Sequence, residues 1–345
     1  MVRSCSDTLE AVRVLAAVDK FRGTATAHQV AKAISDACWT TGHECIELPL
    51  ADGGEGTLDA LGGANQMLRV EGPLGAPVDA PWRFFRGTAI IEMALASGIQ
   101  LVGGAEGNDA IAASTIGTGQ LIDAALNLGA ERIIVCLGGS ATTDGGLGAV
   151  SAISTPARLK RVDFLVACDV DTTFLDAAEV FAPQKGATPA QVKFLTNRLS
   201  ATAERYRQRF GVDVTNVTGS GAAGGLAGGL FALGARLVPG FDVVADEVGL
   251  HDAVSACDVI ITGEGRLDST SFDGKVVGGV AALARTHDKP VVAICGDVTP
   301  EAKASVHARN LDVVSLRDCF GDDTFTATTR CVEQAAVQWL TSRDA

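Results

Sequence analysis

The sequence predicts an α/β protein: a flavodoxin-like, doubly wound parallel sheet into which a second α/β domain with a mixed sheet is inserted. Two observations carry this. Short apolar strands alternate with helical segments near both ends of the chain, the pattern of parallel βαβ units. Between residues 65 and 99 that rhythm gives way to runs broken by proline and glycine, which reads as hairpins. A length of 345 residues allows two domains with separate cores. The expected division is 1–64 with 241–345 for the flavodoxin-like domain, and 65–240 for the insertion.

Taken in order, Val12 to Val18 is a first strand ending at Asp19-Lys20-Phe21-Arg22-Gly23, and Thr24 or Thr26 can cap a helix through Val30, Ala33, Ile34 and Ala37. A strand from Glu44 to Leu48 leads into Asp52-Gly53-Gly54-Glu55-Gly56-Thr57 and a short helix. Two carboxylates in one glycine turn suit Mg²⁺ binding or acid–base work, although a solvated turn would look alike. Trp82 to Phe85 and Ala89 to Met93 are hairpin strands, followed by a helix from Thr118 to Leu128. The β-branched run Arg132 to Leu137 is a buried strand, and Gly138-Gly139-Ser140-Ala141-Thr142-Thr143-Asp144-Gly145-Gly146 follows it. Glycines let the main chain approach an anion, and the hydroxyls add donors. Asp144 would repel phosphate unless it held a metal, took a proton or simply capped the next helix.

Phe164 to Cys168 is the next strand, and the loop holding Lys185 precedes a charged, exposed helix from Pro189 to Phe210. Lys185 is a weaker candidate for neutralising substrate charge, since an exposed loop lysine before a helix is usually only solvated. Gly219-Ser220-Gly221-Ala222-Ala223-Gly224 matches the dinucleotide fingerprint literally, but residues 212–217 make a poor central strand and no ribose-binding acid follows. A helix start that packs closely or faces phosphate is the better reading. Val259 to Thr262, Val291 to Cys295 and Val313 to Leu316 complete five parallel strands, with helices after Lys275 and from Thr324 to Leu340. Flavodoxin-like order places ligands at the ends of the first and third strands, here Asp19-Lys20 and Glu264-Arg266.

Composition narrows the function. A net charge of −13 argues against non-specific nucleic-acid or anionic-membrane binding. The nine cysteines form no Cys-x-x-Cys pair and the five histidines lack zinc-ligand spacing, as expected of a reduced, cytoplasmic protein. Charges at Arg3, Asp7, Glu10 and Arg13 leave no room for a signal-peptide core. The uncharged stretch between Asp213 and Arg236 is rich in glycine and alanine and reads as a closely packed helix, not a membrane span.

Several stretches together resemble the bacterial glycerate kinase family of the glycerate 2-kinase type. They are Leu50 to Thr57, Gly117 to Ile122, Gly138 to Gly146, Val180-Phe181 with Pro183 to Thr188, Gly221 to Leu226, and Ile260 to Gly265. The resemblance implies ATP- and Mg²⁺-dependent phosphorylation of D-glycerate, most simply at its 2-hydroxyl, on a flavodoxin-like domain with an insertion. The chain departs from the family's pattern at Lys20, where serine is usual, at Thr143, where asparagine is usual, and at Thr270, where glutamine is usual. It is also shorter between Val150 and Val162, and lacks the glycines expected near Ala177-Ala178-Glu179.

Phosphoryl transfer needs positioning and charge neutralisation more than covalent help. Gly138, Gly139, Ser140, Thr142 and Asp144, with Gly221, Ala222, Gly224 and Glu264, are therefore expected to hold ATP. Asp52 and Glu55 are the Mg²⁺ candidates, and Asp52 or Asp268 the proton acceptor. Lys20, Arg22 and Lys275 are expected to neutralise the glycerate carboxylate or the transferring phosphoryl group. Glycerate and ATP are the expected partners, with homo-oligomerisation left open. Three alternatives stand beside this reading: a kinase for another small hydroxy acid, an NAD-dependent dehydrogenase using Gly219 to Gly224, and a non-catalytic nucleotide-binding descendant.

Overall fold

The computed structural model describes residues 11–272, 274–309 and 311–344. Arg3, Asp7 and Glu10 lie outside them. The chain divides into two compact units, one ending at Ala51 and resuming at Val244, the other spanning Asp52–Val243.

The first unit carries a five-stranded, all-parallel sheet. Its spatial order is Glu44–Pro49, Arg13–Val18, Val259–Gly263, Val291–Cys295 and Asp312–Ser315, or second, first, third, fourth, fifth in the unit's own chain order. That is the doubly wound order in which the first and third strands flank the reversal. Strands such as Val14 to Val18 and Val259 to Gly263 are buried throughout, because helices cover both faces of the sheet. The helix Ala27–Thr41 starts at Thr26, whose hydroxyl accepts from Gln29 N while the Gln29 side chain returns to Thr26 N. Val30, Ile34 and Ala37 from this helix pack with Val332, Ala335 and Ala336 of the C-terminal helix Thr328–Asp344. The expected final helix is split, since a separate turn occupies Asp323–Thr326.

The second unit has a six-stranded mixed sheet. Gln66–Glu71, Pro77–Phe85 and Thr88–Glu92 run as antiparallel hairpins, then Arg132–Cys136, Asp163–Ala167 and Arg236–Val238 continue in parallel. One face of this sheet packs on Ile116–Asn127 through Leu121, Ile122 and Ala125, within a core that also holds Leu195 and Leu199 of Pro189–Phe210. On the other face, Ile90, Ile134 and Leu165 cluster with Leu58 and Val243.

That second cluster explains why the division falls at Ala51 and Asp52 instead of after residue 64. The short helix Thr57–Ala60 buries Leu58 in the insertion's core, and Gly53 lies so close to Gly240 that a Cβ on Gly53 would come 2.5 Å from Gly240 Cα. Gly53 also has φ +86°, which only glycine adopts freely. The Asp52 turn is thus part of the inserted unit. Among the described residues no helix is long and apolar enough to cross a membrane.

Candidate active site

The inserted unit centres on the loop after Arg132–Cys136. Its carbonyls are held from beneath. Gly139 O accepts from Ile99 N, Ala141 O from Asn108 Nδ2, Thr142 O from Lys185 Nζ, Thr143 O from Arg198 Nη2 and Gly145 O from the Tyr206 hydroxyl. Several of the loop's N–H groups bond within the fold, Ala141 N to Ser97 O and Gly145 N to Gly224 O, so the edge open to an anion is that of Gly138 and Gly139. Gly139 is exposed and left-handed at φ +59°, and the N–H groups of Gly138 and Gly139 donate to no main-chain oxygen among the described residues. The Thr142 and Thr143 hydroxyls are buried without a partner among those residues. A native interior rarely leaves such groups unmatched, so both hydroxyls remain available to a further partner.

Asp144 stabilises the loop from within. Its Oδ2 accepts from Thr115 N, the Thr115 hydroxyl and Gly148 N, and its Oδ1 from Gly146 N. All four contacts lie within the fold, so this carboxylate shapes the loop. Gly221, Ala222 and Gly224 are buried as well. A Cβ on Gly224 would come 2.0 Å from Thr142 O, and Gly224 O accepts from Gly145 N. Close packing, one of the two expectations for this segment, is what these contacts amount to. No strand precedes it, which removes the structural context of a dinucleotide fingerprint.

Lys185 corrects the sequence reading. It is buried at the end of a short turn, Pro183–Lys185, and its ammonium donates to the Ser140 hydroxyl and Thr142 O, both at 2.7 Å, near the face of Phe181. Burial pushes this amine down to about 7, with the Asp144 charge working in the opposite direction. Burial also lowers Arg198, again offset by Asp144. Asn108, Arg198 and Tyr206 were not singled out from the sequence; nothing in their local sequence marks them, because their partners lie far along the chain.

The Asp52 turn adjoins the same loop, for a Cβ on Gly138 would sit 3.2 Å from Gly54 Cα and 3.5 Å from Glu55 N. Asp52 Oδ1 accepts from Gly54 N, while Glu55 is exposed. Buried Glu92 receives Leu58 N at 2.6 Å and so anchors the helix after the turn. Mg²⁺ needs only one or two protein carboxylates alongside phosphate oxygens and water. Asp52 and Glu55 meet that requirement, although no group of three or more His, Cys, Asp or Glu suited to a metal occurs among the described residues.

The flavodoxin-like unit has its own cluster of candidates at its strand ends. Asp19 is buried and accepts from Lys20 N, with the Lys20 ammonium 3.8 Å away. Arg22 is exposed in the tight turn after Phe21. Burial pushes Glu264 up to about 7, reinforced by the charges of Asp19 and Asp268 and opposed by a Ser271 hydrogen bond and Lys275. Its Oε1 has no partner among the described residues. Asp268 accepts from Thr270 N and the Thr270 hydroxyl, which hold it below the usual carboxylate range, and Lys275 donates to that same hydroxyl. Threonine at 270 therefore links Asp268 to Lys275.

Known proteins similar to this chain identify its family. The model of the glycerate kinase family matches residues 14–156 and 154–339. The glycerate 2-kinase of Escherichia coli K12 is 38% identical over 343 residues, spanning 88% of this chain and 90% of its own. A glycerate kinase of Bacillus subtilis 168 is 36% identical, spanning 88% and 89%. A solved structure provisionally assigned as glycerate kinase 2 from Salmonella typhimurium LT2 superposes with a TM-score of 0.82 at 34% identity. It covers 96% of this chain and 98% of that one.

Proposed function

The chain belongs to the glycerate kinase family and is a phosphotransferase with an alcohol acceptor; on that premise we propose that it transfers the γ-phosphoryl group of ATP to the 2-hydroxyl of D-glycerate, releasing ADP and 2-phosphoglycerate. One observation carries the nucleotide side of this reading: a loop with its carbonyls bound beneath, an exposed glycine edge and two buried, unpartnered threonine hydroxyls. The N–H groups of Gly138 and Gly139 and the hydroxyls of Thr142 and Thr143 hold phosphate oxygens there.

The reaction joins the glycerate 2-oxygen to phosphorus and breaks the bond between phosphorus and the ADP oxygen, while the hydroxyl proton leaves to a base. Asp52 takes that proton, since its turn adjoins the loop and, among the described residues, only its Oδ1 accepts a hydrogen bond, from Gly54 N. Mg²⁺, held by Glu55 or Asp52 together with phosphate oxygens, would neutralise charge on the transferring group. In the flavodoxin-like unit, Lys20, Arg22 and Lys275 neutralise the glycerate carboxylate or the phosphoryl group. Glu264 and Asp268 set the charge around those cations.

Coupled ADP-release assays test the activity, with ATP–Mg²⁺ and a series of small hydroxy acids. Release that depends on D-glycerate is the expected result, and no stimulation by any acid would leave only nucleotide binding. Phosphorus NMR of the product decides the position. A 3-phosphoglycerate signal would remove the 2-hydroxyl assignment.

A further inference from the structure

A buried ammonium whose hydrogen bonds all go to neutral oxygens is rare, because removing the charge from water is costly unless it is paired. Lys185 is such a group. Its two bonded acceptors, the Ser140 hydroxyl and Thr142 O, both belong to the 138–146 loop, and it forms no ion pair among the described residues. The other groups around it are the Phe181 ring, Asn108, which donates to the Lys185 carbonyl, and the charges of Asp144 and Arg198. Asp144 is committed to Thr115, Gly146 and Gly148, and Arg198 is cationic, so neither supplies a dedicated counter-ion.

We propose that Lys185 is a positioning residue whose ammonium fixes the phosphate loop from beneath and finds its missing counter-charge in the phosphate bound on the loop's outer edge. This rests on the nucleotide reading above and adds a consequence to it. With its amine near neutrality in the free protein, Lys185 is largely unprotonated at mildly alkaline pH, and an anion across one thickness of backbone draws a proton onto it. Nucleotide binding is thus accompanied by proton uptake, and the loop gains its full set of ammonium hydrogen bonds as the ligand arrives.

Titration calorimetry of the Mg²⁺ complex of a non-hydrolysable ATP analogue, near pH ~8 in two buffers of different ionisation enthalpy, reads this directly. The wild-type protein is expected to take up most of one proton per nucleotide bound. Lys185→Arg, permanently charged, should bind nucleotide without uptake, and Lys185→Met should bind more weakly, also without uptake. Glu264→Gln should keep the uptake, which separates Lys185 from the other group that titrates near neutrality. Binding without buffer dependence in the wild type, uptake that persists in Lys185→Arg, or uptake lost only in Glu264→Gln would each overturn the proposal while leaving nucleotide binding intact. Absence of nucleotide binding in the wild type would overturn both. If Lys185→Met does not fold, the wild type and Lys185→Arg still decide the matter.

Discussion

Replacing Glu264 by glutamine is expected to stabilise the flavodoxin-like unit near neutral pH and to do little in acid. Burial and the neighbouring Asp19 and Asp268 charges raise the native carboxyl to about 7 from an ordinary 4.5. Between those values the native state binds a proton that the unfolded chain has already lost. The associated stability is therefore fully present below about 4.5 and disappears as pH rises through about 7. The gap of about 2.5, at about 1.4 kcal/mol for each tenfold, sets a ceiling of about 3 kcal/mol. Relaxation and water at this partly accessible side chain bring the expected effect to about 1–3 kcal/mol. Glutamine keeps the shape and stays neutral, so it avoids the loss. Thermal melts at about pH 5 and about pH 7.5 make the test, since a two-unit chain has no single unfolding free energy. The wild type should lose about 2–4 °C per kcal/mol between the two conditions relative to the variant. Parallel pH dependence in the two proteins would show that Glu264 is ionised without penalty in the native state, and the desolvation reasoning would fail.

Other outcomes follow from the same contacts. Asp52→Asn should lower turnover by about 10²–10⁴-fold with nucleotide affinity nearly unchanged, whereas Asp144→Asn should weaken nucleotide binding and stability together by losing acceptors inside the loop; fluorescent-nucleotide titration beside turnover distinguishes them, and equal affinity losses would deny Asp52 the base role. Gly224→Ala places a methyl against Thr142 O at a left-handed position, so the loop must shift; a destabilisation of at least ~2 kcal/mol with loss of nucleotide affinity is expected in urea melts and binding titrations. Tyr206→Phe frees the buried Gly145 carbonyl and should cost about 1–3 kcal/mol, measured by urea unfolding. Thr270→Val removes the hydroxyl joining Asp268 to Lys275, so the pH dependence of glycerate KM should change while KM for ATP stays put.

The sequence by itself determined most of the secondary structure and the topology, because those depend on short-range signals. Period and β-branching marked strands such as Arg13–Val18 and Val259–Gly263, Thr24 or Thr26 marked a helix start, and the alternation of strand and helix implied parallel pairing with the reversal beside Asp19 and Glu264. The glycine-hydroxyl stretch from Gly138 and the turn at Asp52 also stood out, since glycines at such density announce unusual backbone. What only the tertiary structure decided is which charges are buried and what faces each loop. Lys185 looked like a solvated lysine because nothing in Pro183-Gln184-Lys185-Gly186 indicates that Ser140 and Thr142 lie beside it. Asp144 offered metal, proton and cap readings until four donors from Thr115, Gly146 and Gly148 converged on it. Asp52 follows a strand of one unit yet belongs to the other, whose core holds Leu58. Burial, electrostatic environment and unit membership are sums over neighbours distant in the chain, and a local stretch of sequence carries none of those neighbours with it.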